Sequence, residues 1–132
     1  MKISRKLSAV SVILTIAMTV TMAVVAQKGI SLVRRINFAK GRTTSVQKGS
    51  IRRGVSHDYL LKASSGQSMT VHLAASGGVC FDLFTPGQSN ILAECSKDWS
   101  GELPQSGDYR INVLPDTTTE RNISYTLEVT VR

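Results

Sequence analysis

Residue types that do chemistry are sparse in this chain. Ser56, His57 and Asp58 are the types of a hydrolytic triad, but successive strand residues point to opposite faces, so His57 and Asp58 cannot reach one substrate. The chain has two histidines and two cysteines and no Cys-x-x-Cys spacing, so a zinc site would need scattered ligands to converge. We therefore expect no catalytic residue, no metal and no cofactor.

The two cysteines, Cys80 and Cys95, flank a hairpin pattern. Apolar runs at 79–84 and 91–95 enclose the turn residues 85–90, which include Pro86-Gly87. Folding about Gly87 and Gln88 sets the two cysteines opposite each other. The spacing predicts a cross-strand disulfide, which persists in an oxidising compartment.

Residues 1–26 have the parts of a secretory signal peptide. Lys2, Arg5 and Lys6 precede twenty uncharged residues, 7–26, which end in small residues at Ala26. We expect cleavage after Ala26 and a periplasmic or secreted protein without a transmembrane span. The alternative is an uncleaved anchor, which the hydroxyl residues of the run disfavour. These are Ser8, Ser11, Thr15, Thr19 and Thr21.

Charge divides the remaining residues into two halves. Residues 27–57 hold eight basic and no acidic residues, whereas 58–132 hold five basic and nine acidic ones. An anionic surface could bind the basic half, or its charges could simply be solvated. Export and an aromatic content of only 5% argue against a nucleic-acid partner.

Past residue 33 apolar residues recur with a period of two. Met69, Val71 and Leu73 alternate with polar residues, and 59–63, 109–113 and 125–131 do the same. Turn residues separate these segments about every ten positions, and each segment has one solvent-exposed and one buried face. The pattern predicts an all-β, antiparallel, jelly-roll-like β-sandwich of eight or nine strands over 36–132, after a basic linker at 27–35. A chain of 132 residues allows one such domain.

Short sequence segments within this pattern resemble those of a known family, the periplasmic inhibitors of goose-type lysozyme. They also resemble the pre-peptidase C-terminal sandwich domains, over about 36–131. The matching segments are Ile36-Asn37-Phe38-Ala39-Lys40-Gly41, Gly49-Ser50-Ile51, Tyr59 with Gly66-Gln67, Leu103-Pro104-Gln105-Ser106-Gly107-Asp108-Tyr109 and Tyr125-Thr126-Leu127-Glu128-Val129.

The resemblance implies a non-catalytic domain that blocks a muramidase by placing loops in its cleft. In the inhibitors the loop between the last two strands is long and basic. Here that loop, 114–124, is shorter and holds one basic residue, Arg121, against two acids. Arg121 is the one position carried over, and its alternative role is that of a solvated loop arginine.

The lone tryptophan, Trp99, is the other candidate for partner binding. Beside a turn it either closes the rim of the sandwich or offers a platform for a sugar ring or a protein. With the basic face of Arg42, Lys48, Arg52 and Arg53 it indicates an alternative function, a carbohydrate- or cell-envelope-binding module. We expect a monomer whose partner is a lysozyme or, in the alternative, an envelope glycan.

Overall fold

The computed structural model describes residues 31–116 and 121–132, which form nine β-strands and a short 3-10 turn at Pro86–Gln88. The signal peptide expected at 1–26 lies outside these residues. The described part of the chain contains no helix with the length and apolar character needed to cross a bilayer. The strands are β1 (Ser31–Arg35), β2 (Thr44–Ile51), β3 (Ser56–Ala63), β4 (Ser68–Ala75), β5 (Val79–Phe84), β6 (Ile91–Ser96), β7 (Asp98–Glu102), β8 (Gly107–Pro115) and β9 (Ile123–Val131).

The strands form two facing sheets, as the alternating pattern predicts. Sheet A has the order β1-β3-β8-β5-β6, and sheet B has the order β2-β9-β4-β7. Every paired neighbour is antiparallel except β1 and β3, which run parallel. The predicted β-sandwich and its strand number are confirmed. Residues 31–35, predicted to be part of the basic linker, instead form β1, because their backbone pairs with β3.

The core lies between the sheets and contains the residues of the predicted apolar rows. In β4 the burial alternates strictly, with Met69, Val71 and Leu73 buried and the intervening residues exposed. Tyr59 and Tyr109 of sheet A are among the largest fully buried side chains. The alternation follows from strand geometry, since successive side chains leave opposite faces of a sheet.

The β5–β6 hairpin is closed by the predicted disulfide between Cys80 and Cys95, whose Cα atoms are 4.8 Å apart. The strands do not keep the single register expected from the turn, because Phe81 pairs with Ser96 whereas Leu83 pairs with Ala93. Cys95 has a φ of 38°, a left-handed conformation that bends the strand at this shift. Lys97 then connects β6 of sheet A to β7 of sheet B.

Strand pairing also determines at which end of the sandwich each connection between strands lies. Ile51 pairs with Ile123, so the β2–β3 turn at 52–55 lies beside residues 121–122, which directly precede β9. The β4–β5 turn at 76–78 is at the same end, because Ala75 pairs with Tyr125. The β1–β2 connection at 36–43 lies at the opposite end.

Candidate partner-binding site

Three of the four residues predicted to bind a partner come together at one end of the sandwich. Arg52 and Arg53 occupy the β2–β3 turn, and Arg121 lies two residues before β9, whose first residue pairs with the last residue of β2. All three arginines are exposed. We call Arg52, Arg53 and Arg121 the arginine end. Arginines at one end of the sandwich suit a partner that presents carboxylates.

An open depression of about 430 Å³ lies on sheet B next to the arginine end. Lys48 is the charged residue of its lining, and small residues of the neighbouring strands make up much of the rest. The lining residues are Lys48, Gly49, Ala74, Ser124, Tyr125 and Thr126. The row Lys48, Thr126 and Ala74 crosses three adjacent strands. A concave surface that contains one lysine and lies beside three arginines can accept a protruding side chain of a partner protein.

A hydrogen-bonded chain of three side chains joins the sheets beneath this depression. The Tyr125 hydroxyl of sheet B lies 2.5 Å from the Tyr59 hydroxyl and 2.6 Å from His57 Nδ1, both of sheet A. Gly49 makes room for it, because a Cβ there would come within 2.5 Å of the Tyr125 hydroxyl oxygen. The chain gives the candidate site a fixed base.

Burial controls the protonation of this chain. Burial, followed by the hydrogen bond to Tyr59, raises the pKa of Tyr125 well above its usual value, so its hydroxyl stays protonated. Burial also lowers the pKa of His57, and the positive charge of Arg34 adds to this while Asp58 opposes it. At neutral pH the imidazole is therefore uncharged, and the base of the depression carries no net charge from these groups.

Trp99, the fourth predicted binding residue, does not join the arginine end. It lies on β7, the edge strand of sheet B, where it pairs with Val71. The side chain is half-buried against the core, and its ring lies over Gly101, where a Cβ would approach it to 2.8 Å. Trp99 therefore lies on a different strand and edge of sheet B from the strand end that carries Arg52 and Arg53.

Asp58, considered in the sequence as a triad member, faces away from His57 as strand geometry requires. Its carboxylate is on the outer face of sheet A, only 9% exposed, and accepts hydrogen bonds from Arg110 at 2.8 Å and Asn112 at 2.6 Å. The guanidinium of Arg110 also stacks over the ring of Phe84 at 5.6 Å. Sequence reasoning missed this network, because its members lie on β3, β5 and β8 and carry no local motif.

One group of potential metal ligands occurs among the described residues, and it consists of Cys80, Cys95 and Asp116. Both sulfur atoms are committed to the disulfide, so they offer no thiolate to an ion.

No protein-family model and no curated protein matches the sequence. Solved structures do match. A periplasmic inhibitor of g-type lysozyme from Aeromonas hydrophila, PliG, is 28% identical with a TM-score of 0.69, over 77% of this chain and 97% of its own. PliG of Salmonella Typhimurium is 25% identical with a TM-score of 0.64, over 76% of this chain and 98% of its own.

This chain has the fold of those inhibitors. It shares the fold also with the pre-peptidase C-terminal domain of a Bacillus anthracis collagenase, which is 16% identical with a TM-score of 0.55 over 78% of this chain. The fold that the matching sequence segments implied is thus confirmed.

Proposed function

We propose that this protein is an exported inhibitor that binds a g-type lysozyme through the arginine end. The observation that carries the proposal is the similarity to PliG of Aeromonas hydrophila, which extends over 97% of that inhibitor at 28% identity. The neighbours named PliG are periplasmic, which supports the periplasm as the location of this protein. The disulfide supports an oxidising compartment as well.

The chemistry of the proposed complex follows from the two surfaces. Glycoside hydrolases generally work with carboxyl groups in an open cleft. Guanidinium groups pair with carboxylates through short, charge-assisted hydrogen bonds, and an arginine that enters such a cleft would occupy its acidic groups. Arg121 and Arg52 lie on neighbouring connections, so the sandwich can present them to one cleft while its body remains outside.

The decisive experiment is a titration of g-type lysozyme activity on cell-wall substrate with the purified, oxidised protein. Inhibition should saturate near one-to-one, and Arg121→Glu should weaken it by at least about tenfold, because reversing a charge that faces a carboxylate in an interface is costly. Lys40→Glu is the matched control, since Lys40 is an exposed cation at the opposite end of the sandwich. It carries the same change in net charge.

Two results would contradict the proposal. One is the absence of inhibition at micromolar protein, which would mean that this protein shares the sandwich fold of PliG but not its function. The other is an equal loss in Arg121→Glu and Lys40→Glu, which would assign the effect to net charge and not to the arginine end. A thermal melt of each variant separates loss of binding from loss of folding.

A further inference from the structure

The two sheets differ by one strand, and the extra strand of sheet A is β1. Gly49 of β2 lies against the Tyr125 hydroxyl, which is bonded to Tyr59 and His57 of β3, so β2 lies over β3. In sheet A the strand beyond β3 is β1. In sheet B no strand of the described residues lies beyond β2, which is the edge strand. The inward face of β1 is therefore not covered by sheet B.

Two side chains of β1 point to this uncovered face. In the parallel register Leu32 aligns with His57 and Arg34 with Tyr59, whose side chains face inward, whereas Arg35 faces outward and pairs with Asp108. Leu32 is 40% exposed, and all five residues of β1 are exposed. Within the part of the chain that the structure describes, sheet B leaves this inward-facing leucine uncovered.

The free edge of β2 forms the wall beside this floor. Within residues 31–116 and 121–132, β2 pairs with β9 only, so its other edge presents backbone N–H and C=O groups. We call the space bounded by this edge and by Leu32 and Arg34 the β1–β2 groove. An unpaired strand edge is a template for a further strand.

Among the described residues, the cation on the inward face of β1 that bounds the groove is Arg34. No carboxylate of the described residues forms an ion pair with Arg34, whereas Arg35 on the opposite face is neutralised by Asp108 at 2.9 Å. A strand that lay in the groove would bring its own inward side chains over Leu32 and Arg34.

We propose that the β1–β2 groove binds an extended acidic segment of a partner protein, which adds to β2 as a fifth strand of sheet B. An apolar residue of the segment covers Leu32, and a carboxylate two positions away pairs with Arg34, because alternate residues of a strand share a face. Backbone hydrogen bonds to β2 provide affinity, and the two side-chain contacts provide selectivity. The groove follows β2 along a long side of the sandwich, and Leu32 and Arg34 are not among the residues of the proposed lysozyme contact at the arginine end.

The test uses a designed peptide, acetyl-Thr-Val-Thr-Glu-Thr-Val-Thr-amide, in which Val and Glu share one face. Binding is followed by calorimetry and by amide hydrogen exchange of the purified protein. The peptide should protect amides of Thr44–Ile51 from exchange, and replacing its Glu by Lys should abolish binding. Arg34→Glu should weaken binding of the acidic peptide by about tenfold and should strengthen binding of the lysine peptide.

The control variant is Lys97→Glu, an exposed cation between β6 and β7 with the same charge change, and it should alter binding less than about twofold. A peptide with N-methyl groups on alternate residues should also fail, because it cannot complete the backbone ladder.

Three outcomes would overturn the proposal. The first is no protection of β2 from exchange at about 1 mM peptide, which would mean a Kd weaker than about 1 mM. The second is an equal loss of peptide binding in the Arg34→Glu and Lys97→Glu variants. The third is protection of the free β2 edge without peptide, which would mean that a second copy or another segment of the chain already occupies it. A sedimentation experiment tells these last two occupants apart.

Discussion

The substitution Gly49→Ala tests whether the hydrogen-bonded chain between the sheets is rigid. Gly49 is a strand residue without a positive φ, so its backbone admits any side chain. The methyl group would nevertheless meet the Tyr125 ring, at 2.5 Å from the hydroxyl oxygen and 2.6 Å from Cζ. Contacts below 3 Å require one of the two groups to move.

The cost can be worked from these contacts. The ring is held by hydrogen bonds to Tyr59 and His57, so it cannot withdraw without breaking at least one of them. Overpacking a filled site costs about 1–3 kcal/mol, and a lost buried hydrogen bond adds about 1 kcal/mol. We expect Gly49→Ala to lower the free energy of unfolding by about 2–4 kcal/mol, which is a fall in Tm of at least about 8 °C for a domain of this size.

The assay is urea unfolding and a thermal melt of the wild-type protein, Gly49→Ala and a Ser50→Ala control on the outward face of the same strand. The control should stay within about 0.5 kcal/mol of wild type. Repeating Gly49→Ala in a Tyr125→Leu background removes the obstructing ring, and the penalty should largely disappear there. A penalty below about 0.5 kcal/mol in the wild-type background, or an unchanged penalty beside Leu, would refute a rigid chain.

Three further predictions concern stability. Reduction of the Cys80–Cys95 bond, which closes a loop with a sequence separation of 15, should cost about 3 kcal/mol without abolishing the fold; unchanged melts with and without reductant would contradict this. Because the folded pKa of His57 is below its usual value of 6.5, the unfolded chain binds more protons in this range, so stability should fall as the pH drops below about 6.5. Urea titrations at several pH values check this slope, which His57→Gln should remove; an identical slope in the variant would assign it elsewhere. Asp58→Ala should cost about 2–3 kcal/mol, because it leaves Arg110 partly buried without its carboxylate; chemical denaturation with a loss under about 0.5 kcal/mol would show that water replaces the pair.

Local patterns were sufficient for the sandwich and for much of its core. Residues 69–73 alternate in sequence and alternate in burial, because facing in a strand depends only on the parity of position. The disulfide was also predictable, since Cys80 and Cys95 lie in one hairpin. The register within that hairpin was not, because the conformation of Cys95 bends β6 by an amount that no turn residue encodes.

Positions far apart in the chain behave differently. Arg52 and Arg121 share one end only because β2 pairs with β9, and this pairing is a property of the assembled sheet. Tyr59 and Tyr125 both read as apolar-row residues in the sequence, yet their hydroxyls meet across the core. The buried phenol oxygens required partners, but the partner of each was not evident from its own row.

The sequence by itself determined the fold class, the cross-strand disulfide and the resemblance to g-type lysozyme inhibitors. The tertiary structure decided which arginines share an end, that Trp99 lies on an edge strand of sheet B, and that the inward face of β1 is left uncovered by sheet B. The physical reason is the range of the interactions. Alternation and turns are local, and sequence spacing encodes them directly, whereas strand order and the stacking of sheets depend on contacts between distant segments whose free energies compete globally.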